Sequence, residues 1–357
     1  MKLKNLIENA GVVSVTGDVE KEIKEVVCDS NSVTKGSLFI CLKGRDYDGC
    51  GFIRQVENYG AAAIVTEKPT ETSLTQVLVK DARKAMSVIA ANFYGHADKK
   101  MRIIGVTGTN GKTTTAHFLA SILINSGIKC GITGTLGTFY ADKYAEPTLT
   151  TPDPLALHKT FFDMAEAGVE TVVMELSAHA IFLDKLYGIK FETVIFTNFT
   201  QDHLDFFGDM ESYKRAKLKL FREYDYKYAV INSDDAVGRE IIGENQKAVS
   251  YGIDNPADVF AIDVNEDGDG QSFVINLFDC IYDVTINLIG AFNVYNALAA
   301  ATAAALYGIT PREVADGLEN LKGVGGRLEK VYEGEFDVYL DYAHTPDGLE
   351  NALIATR

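Results

Sequence analysis

The segment Gly105-Val106-Thr107-Gly108-Thr109-Asn110-Gly111-Lys112-Thr113-Thr114-Thr115 constrains this chain more than any other. It follows an apolar, β-branched run over 102–106 and leads into a helical pattern over 113–126 that stops at Gly127. Strand, glycine-rich loop and helix in that order build a cradle for phosphate. Glycines let several backbone N–H groups converge on one anion, and the helix N-terminus adds positive potential. Lys112 would reach the outer phosphates, and the Thr113 hydroxyl would serve Mg²⁺. The common spacing requires glycine where Val106 stands, so the loop is a variant in which Gly108 makes the turn.

A loop of this kind needs a sheet to hold it. Apolar runs over 169–174, 193–197 and 228–232 read as buried parallel strands. The stretch 258–288 alternates and carries a turn at Asp267-Gly268-Asp269-Gly270, so it reads as antiparallel strands. Helices are expected over 291–307, stopped by Gly308, and from Pro311 to 321. Upstream, strands over 37–42, 61–66 and 75–79 and helices over 52–59 and 82–94 form a small α/β unit. Asp98-Lys99-Lys100 is a charged joint, and Gly323-Val324-Gly325-Gly326 a flexible one. After the second joint come one strand over 337–340, a loop and the start of a helix. The fold class expected is α/β, divided at 1–98, 99–325 and 326–357.

Lys and Arg number 34 against 50 Asp and Glu, a net charge of −16. That surface repels phosphate backbones and argues against general nucleic-acid binding, so an anionic ligand must be captured locally. No run approaches the ~18–20 apolar residues of a membrane span, and the N-terminus lacks the apolar core and cleavage site of a signal peptide. Five cysteines without a C-x-x-C pair read as reduced, buried thiols. A cytoplasmic protein, acting as a monomer, is expected.

Three further groups belong with the phosphate end. Glu175, in Met174-Glu175-Leu176-Ser177-Ala178-His179, ends an apolar strand, where a carboxylate faces the open edge of a parallel sheet and would hold Mg²⁺. Alone, such a Glu could be a helix cap or a surface residue. His203, in Thr200-Gln201-Asp202-His203-Leu204-Asp205, lies past the end of a second strand on the same side. The following helix carries Lys214, Lys217 and Lys219 beside an apolar face of Tyr213, Ala216, Leu220 and Phe221. Chemistry alone does not choose among the three lysines.

These motifs, with Thr197-Asn198-Phe199-Thr200, Gly290-Ala291-Phe292-Asn293-Val294-Tyr295-Asn296 and Asp341-Tyr342-Ala343-His344-Thr345-Pro346-Asp347, resemble in order the Mur ligases of peptidoglycan synthesis. Asp29-Ser30, Gly36-Ser37-Leu38-Phe39 and Asp48-Gly49 through Phe52-Ile53 resemble the branch that adds the third amino acid. The resemblance implies a UDP-sugar domain, a central P-loop ATPase domain and a Rossmann-like domain for the incoming amino acid. It implies that ATP phosphorylates the carboxylate of UDP-N-acetylmuramoyl-L-Ala-D-Glu and that an amine, from diaminopimelate or lysine, displaces the phosphate. Residue by residue, it implies nucleotide contacts at Gly108, Thr109, Asn110, Gly111, Lys112, Thr113 and Thr114, with Asn293 and Asn296 near adenine. Arg327, Asp341 and His344 would reach the nucleotide from the last segment. Glu175, His203 and Thr113 match metal-ligating positions, and Lys217 matches a lysine carboxylated by CO₂. Thr150, Thr151 and Ser177 match substrate-contacting positions, and Ser30, Arg45, Asp46 and Tyr47 the UDP-contacting stretch.

The sequence departs from the family at several places. Ala178 replaces a serine, Lys185 stands where an arginine holds the substrate, Asn31 replaces an arginine and Cys50 a histidine. Most of the third domain is expected to be missing, leaving a chain inactive by itself, with Tyr339 and Leu340 partly exposed on a single strand. A folylpolyglutamate synthase shares the phosphate loop but not the N-terminal pattern over 29–53. A catalytically silent UDP-sugar-binding protein is the other reading.

Overall fold

The computed structural model describes residues 1–44, 47–267 and 270–357. Its contacts divide it into two compact units. The first comprises residues 1–100 with 152–166 and 183–189, and the second takes the rest.

The first unit is a five-stranded sheet in the order Val12–Thr16, Thr75–Val79, Ala63–Thr66, Ser37–Ile40, Glu25–Val27. Only the pair at the N-terminal edge is antiparallel. Continuous apolar strands bury both faces. Leu38, Ile40, Val65 and Val77 pack against Ala85, Met86 and Ile89 of the helix Ala82–Phe93, and Phe39 and Ile64 against Ile53 and Val56. Asp81 caps that helix by accepting from Arg83 N and Lys84 N. The helix Pro154–Glu166 also belongs here, with Leu155 against the same core. All five cysteines are free; Cys41 and Cys130 are buried, but Cys28 and Cys280 are exposed, contrary to the expectation of uniformly buried thiols.

Within this unit His158 is 2% exposed, its Nδ1 lies 3.8 Å from Asp98 Oδ1, and neither ring nitrogen has a hydrogen-bond partner among the described residues. Burial pushes the imidazole down to about 4, helped by the nearby His96. The native state therefore keeps His158 neutral while the unfolded chain protonates near pH 6.5. Its contribution is intact above pH 6.5 and is lost as pH falls toward 4, up to roughly 3 kcal/mol from this one group. Burial raises the Asp98 carboxyl, which acts with the opposite sign only once carboxylates begin to protonate. Denaturant titrations at pH 7 and pH 5 should show the loss, and His158→Gln should flatten it.

The second unit is built on an eleven-stranded sheet. Its order is Cys280–Ile286, Gly270–Leu277, Val259–Asp267, Ala248–Gly252, Asp225–Asn232, Lys190–Phe196, Arg102–Thr107, Thr171–Glu175, Cys130–Gly134, Gly137–Tyr140, Lys143–Ala145. The central strands are parallel and both ends antiparallel. The expected turn lies partly outside the described residues, at Gly268 and Asp269. Phe118, Leu119, Ile122 and Leu123 of the helix Lys112–Asn125 pack with Ala297, Ala300, Ala301 and Ala304 of the helix Phe292–Tyr307. Alanine faces let these helices approach closely. A third helix, Pro311–Asn320, starts in a reciprocal cap between Thr310 and Glu313.

The strand expected to stand alone does not. Val338–Leu340 pairs antiparallel with Glu329–Tyr332, a segment too short and too charged to read as a strand, and Leu340 remains 54% exposed. The helix Pro346–Ala355 follows, capped by Thr345.

Candidate active site

The parallel register sets Glu175 beside Val106 and Phe196 beside Thr107, so three strands deliver their carboxyl ends to one edge. Val106 is wholly buried in its strand, which explains why the variant loop carries no glycine there. The two loop glycines are needed for close approach. Gly108 has φ +145°, and a Cβ there would sit 1.8 Å from Thr197 Oγ1; Gly111 has φ +85°, and a Cβ would sit 2.3 Å from Asn296 Oδ1.

Thr197-Asn198-Phe199-Thr200 braces this loop. Thr109 N donates to Asn198 O at 2.9 Å, Asn110 N to Asn198 Oδ1 at 2.9 Å, and Thr200 N to Thr109 Oγ1 at 3.0 Å. Lys112 Nζ folds back to donate to Gly108 O at 3.0 Å and Thr109 O at 2.7 Å. Burial lowers its pKa, and the Glu175 charge opposes that. Thr113 Oγ1 accepts from Arg327 Nη2 at 3.1 Å, and Asn110 Nδ2 donates to Asp347 Oδ2 at 2.8 Å. Thr114 is buried behind the loop.

Glu175 is 2% exposed. Its Oε1 accepts from Thr135 N at 2.8 Å and its Oε2 from Thr135 Oγ1 at 3.0 Å. Thr151 Oγ1 donates to Glu175 O at 2.8 Å and accepts from Ser177 N at 2.9 Å, while Thr150 Oγ1 lies 3.2 Å from Thr135 Oγ1. Thr150, Thr151, Ser177 and Glu175 are thus one network, joined through a threonine that the sequence reading passed over.

The histidine and lysine also converge. His203 takes a left-handed backbone (φ +53°), with Nε2 3.3 Å from Asp202 Oδ2 and its ring 4.8 Å from that of His179. Burial lowers its pKa; Asp202 opposes, and His179, Lys112 and Lys217 add to the lowering. The helix Met210–Glu223 buries one of its three lysines far more deeply than the others. Lys214 pairs with Glu240, Lys219 is half-buried with Nζ 3.5 Å from Phe182 O, and Lys217 is 1% exposed with Nζ 4.9 Å from the centre of the Tyr213 ring. Burial pushes Lys217 far below the ordinary lysine range, the Lys112 charge pushes the same way, and Asp202 and Asp235 oppose. Tyr213, read from sequence as core, also places its hydroxyl 3.2 Å from Thr109 Oγ1. No cluster of three or more His, Cys, Asp or Glu able to hold a metal occurs among the described residues.

Known proteins resemble this chain in sequence and fold. The Mur ligase middle domain matches residues 106–304, and the Mur ligase catalytic-domain family matches residues 22–94. The chain is 40% identical over 359 residues to the UDP-N-acetylmuramoyl-L-alanyl-D-glutamate–2,6-diaminopimelate ligase of Halalkalibacterium halodurans, covering 99% of this chain and 74% of that protein. The chain belongs to the Mur ligase family. A solved UDP-N-acetylmuramoyl-L-alanyl-D-glutamate–2,6-diaminopimelate ligase superposes with a TM-score of 0.86 at 28% identity, covering 99% of this chain and 74% of that one. L. casei FPGS, at 19% identity and a TM-score of 0.62 over 76% of this chain and 75% of that one, shares the fold alone.

The remaining positions that Mur ligase resemblance singled out fall as follows. Ser30 is buried at the start of a short turn, where Asp29 Oδ1 accepts from Asn31 N. Tyr47 is 74% exposed, and Arg45 and Asp46 lie outside the described residues. Lys185 Nζ pairs with Asp153 Oδ1 at 2.7 Å, a partner the sequence reading did not foresee. Asn293 and Asn296 are buried and bonded to each other at 2.9 Å, and Asn296 Oδ1 accepts from Thr115 Oγ1 at 3.2 Å. Asn296 thus packs against the loop of this Mur ligase at Gly111 and Thr115. Asp341 accepts from Leu328 N and Ala343 N, shaping the turn that presents Arg327. His344 is exposed, 3.9 Å from Asp202 Oδ2. No helix among the described residues is long and apolar enough to cross a membrane.

Proposed function

We propose that this chain is an ATP-dependent ligase that joins 2,6-diaminopimelate to the D-glutamyl carboxylate of UDP-N-acetylmuramoyl-L-Ala-D-Glu. The names of its relatives supply the substrates, and the phosphate loop supplies the nucleotide chemistry. One observation carries the reading furthest: Lys217 is buried at the site without an ion-pair partner among the described residues, and burial favours its uncharged amine. An uncharged amine adds to CO₂, forming a carbamate and releasing one proton. That turns a neutral buried amine into an anion within the field of Lys112.

Magnesium binds through one or two carboxylates with phosphate oxygens and water. Glu175 fits, because each carboxylate oxygen takes one hydrogen bond and keeps lone pairs free. Glu175, Thr113, His203 and carboxylated Lys217 would hold the ion, for which Thr113 must release Arg327. When bound, Mg²⁺ neutralises charge between phosphate and carboxylate.

The loop N–H groups and Lys112 hold the outer phosphates in line with the peptide carboxylate. The γ-phosphoryl group passes to that carboxylate, and ADP leaves. The amine then attacks the acyl carbon, phosphate leaves with the electron pair of the broken C–O bond, and the amine loses its proton as the amide forms. Thr150, Thr151 and Ser177 orient the peptide end, while Arg327, Asp341 and His344 attend the nucleotide. Ser30, Arg45, Asp46, Tyr47 and Lys185 attend the UDP-sugar. The unit of residues 1–100, 152–166 and 183–189 acts as the UDP-sugar domain, the phosphate-loop unit up to 325 as the nucleotide domain, and 326–357 serves the amino-acid domain.

The test is mass spectrometry of the purified protein with UDP-N-acetylmuramoyl-L-Ala-D-Glu, Mg-ATP and diaminopimelate. The UDP-dipeptide should bind and stimulate ADP formation, and any UDP-tripeptide that appears should match ADP and phosphate one for one. The reading is overturned if the UDP-dipeptide neither binds nor stimulates ADP formation.

A further inference from the structure

We propose that Thr135 is a positioning residue that locks the Glu175 carboxylate for a divalent cation and couples it to Thr150. The proposal rests on the reading of Glu175 as a metal ligand.

Thr135 follows the strand Cys130–Gly134, which pairs in parallel with Thr171–Glu175, Thr133 lying opposite Met174. One residue therefore meets both oxygens of the carboxylate. Its backbone N–H reaches Oε1 at 2.8 Å and its hydroxyl reaches Oε2 at 3.0 Å. Two donors fixed on one residue prevent the carboxylate from turning about its terminal bond. Gly134 makes the room, since a Cβ there would sit 2.2 Å from Glu175 Oε1.

The hydroxyl has one proton. Its bond to a carboxylate, which only accepts, commits that proton to Glu175. The oxygen of Thr135 is then an acceptor, and its neighbour at 3.2 Å, Thr150 Oγ1, must be the donor. The direction of the chain is set: Thr150 donates to Thr135, and Thr135 donates to Glu175. Charge-assisted bonds of this kind are the stronger class. A ligand that draws on Thr150 is thereby felt at the carboxylate.

Partners that orient a metal ligand are worth about 10–100-fold in metal affinity. Thr135→Val keeps the backbone donor and the shape but removes the hydroxyl, whereas Thr135→Ser keeps it. Mn²⁺ binding to the full chain with ADP, followed by electron paramagnetic resonance, gives a readout independent of turnover. Thr135→Val should raise the Mn²⁺ Kd about tenfold or more. Thr135→Ser should stay near wild type, metal-free ADP binding should not change, and Glu175→Gln should lose at least as much as Thr135→Val. If Glu175→Gln weakens Mn²⁺ and Thr135→Val does not, the positioning role is wrong and the ligand reading stands. If Glu175→Gln also binds normally, the ligand reading fails and the proposal falls with it. Equal losses in Thr135→Ser and Thr135→Val would overturn it too, by removing the hydroxyl as the cause. Should Thr135→Val fail to fold, Thr135→Ala carries the same comparison.

Discussion

Lys112→Ala is expected to fold and to lose nucleotide turnover by about a thousandfold or more, the scale on which a preorganised charge at a phosphoryl group acts. The fold should survive because the loop does not depend on the ammonium. Asn198, Thr197 and Thr200 hold its backbone, and both glycines keep their turns. The two carbonyls that Lys112 now caps, Gly108 O and Thr109 O, lose a donor. Turnover should fail because no other cation is built into the loop to face the outer phosphates. Phosphate release together with a thermal unfolding curve checks both halves. Turnover within tenfold of wild type would remove the phosphate-loop assignment.

Lys217→Ala should be comparably inactive, for a different reason. The wild-type side chain occupies a buried site under Tyr213, and its free amine is favoured there. Truncation removes the carbamate and leaves a cavity the size of a lysine stem. Short carboxylates such as acetate or propionate should restore part of the activity by supplying the missing anion. Wild-type protein grown with labelled bicarbonate should show a carbamate carbon resonance that the variant lacks. Wild-type behaviour in Lys217→Ala would make this lysine a packing residue only.

The sequence made the phosphate loop legible because its signal is local: strand, glycines, Lys-Thr and helix lie within a few turns of one another. Glu175 and His203 were legible because an apolar run that stops at a polar residue marks the open edge of a parallel sheet. Lys217 was legible only through the family resemblance, since Lys214, Lys217 and Lys219 look alike on one helix and only packing buries one of them. Thr135 left no signal, and Asn198 stood in a motif without a role of its own, because a residue that braces another does so through contacts with distant strands. The partner of Lys185 was hidden for the same reason. The residues 152–166 join the first unit although they lie within the second in sequence, and no composition shift marks the exchange.

That interleaving sets an order on events at the ribosome. Helix Pro154–Glu166 packs against Ala82–Phe93, and residues 183–189 complete the same unit. The nascent first unit must therefore wait, with an apolar helix face uncovered, until more than half the chain has been translated. The phosphate strand Arg102–Thr107 waits as long, for its two neighbours end at Glu175 and Phe196. Vectorial synthesis thus holds the first unit open past mid-chain and the second for longer still, until the helix Phe292–Tyr307 can pack on Lys112–Asn125, and that long interval is where a chaperone has most to protect.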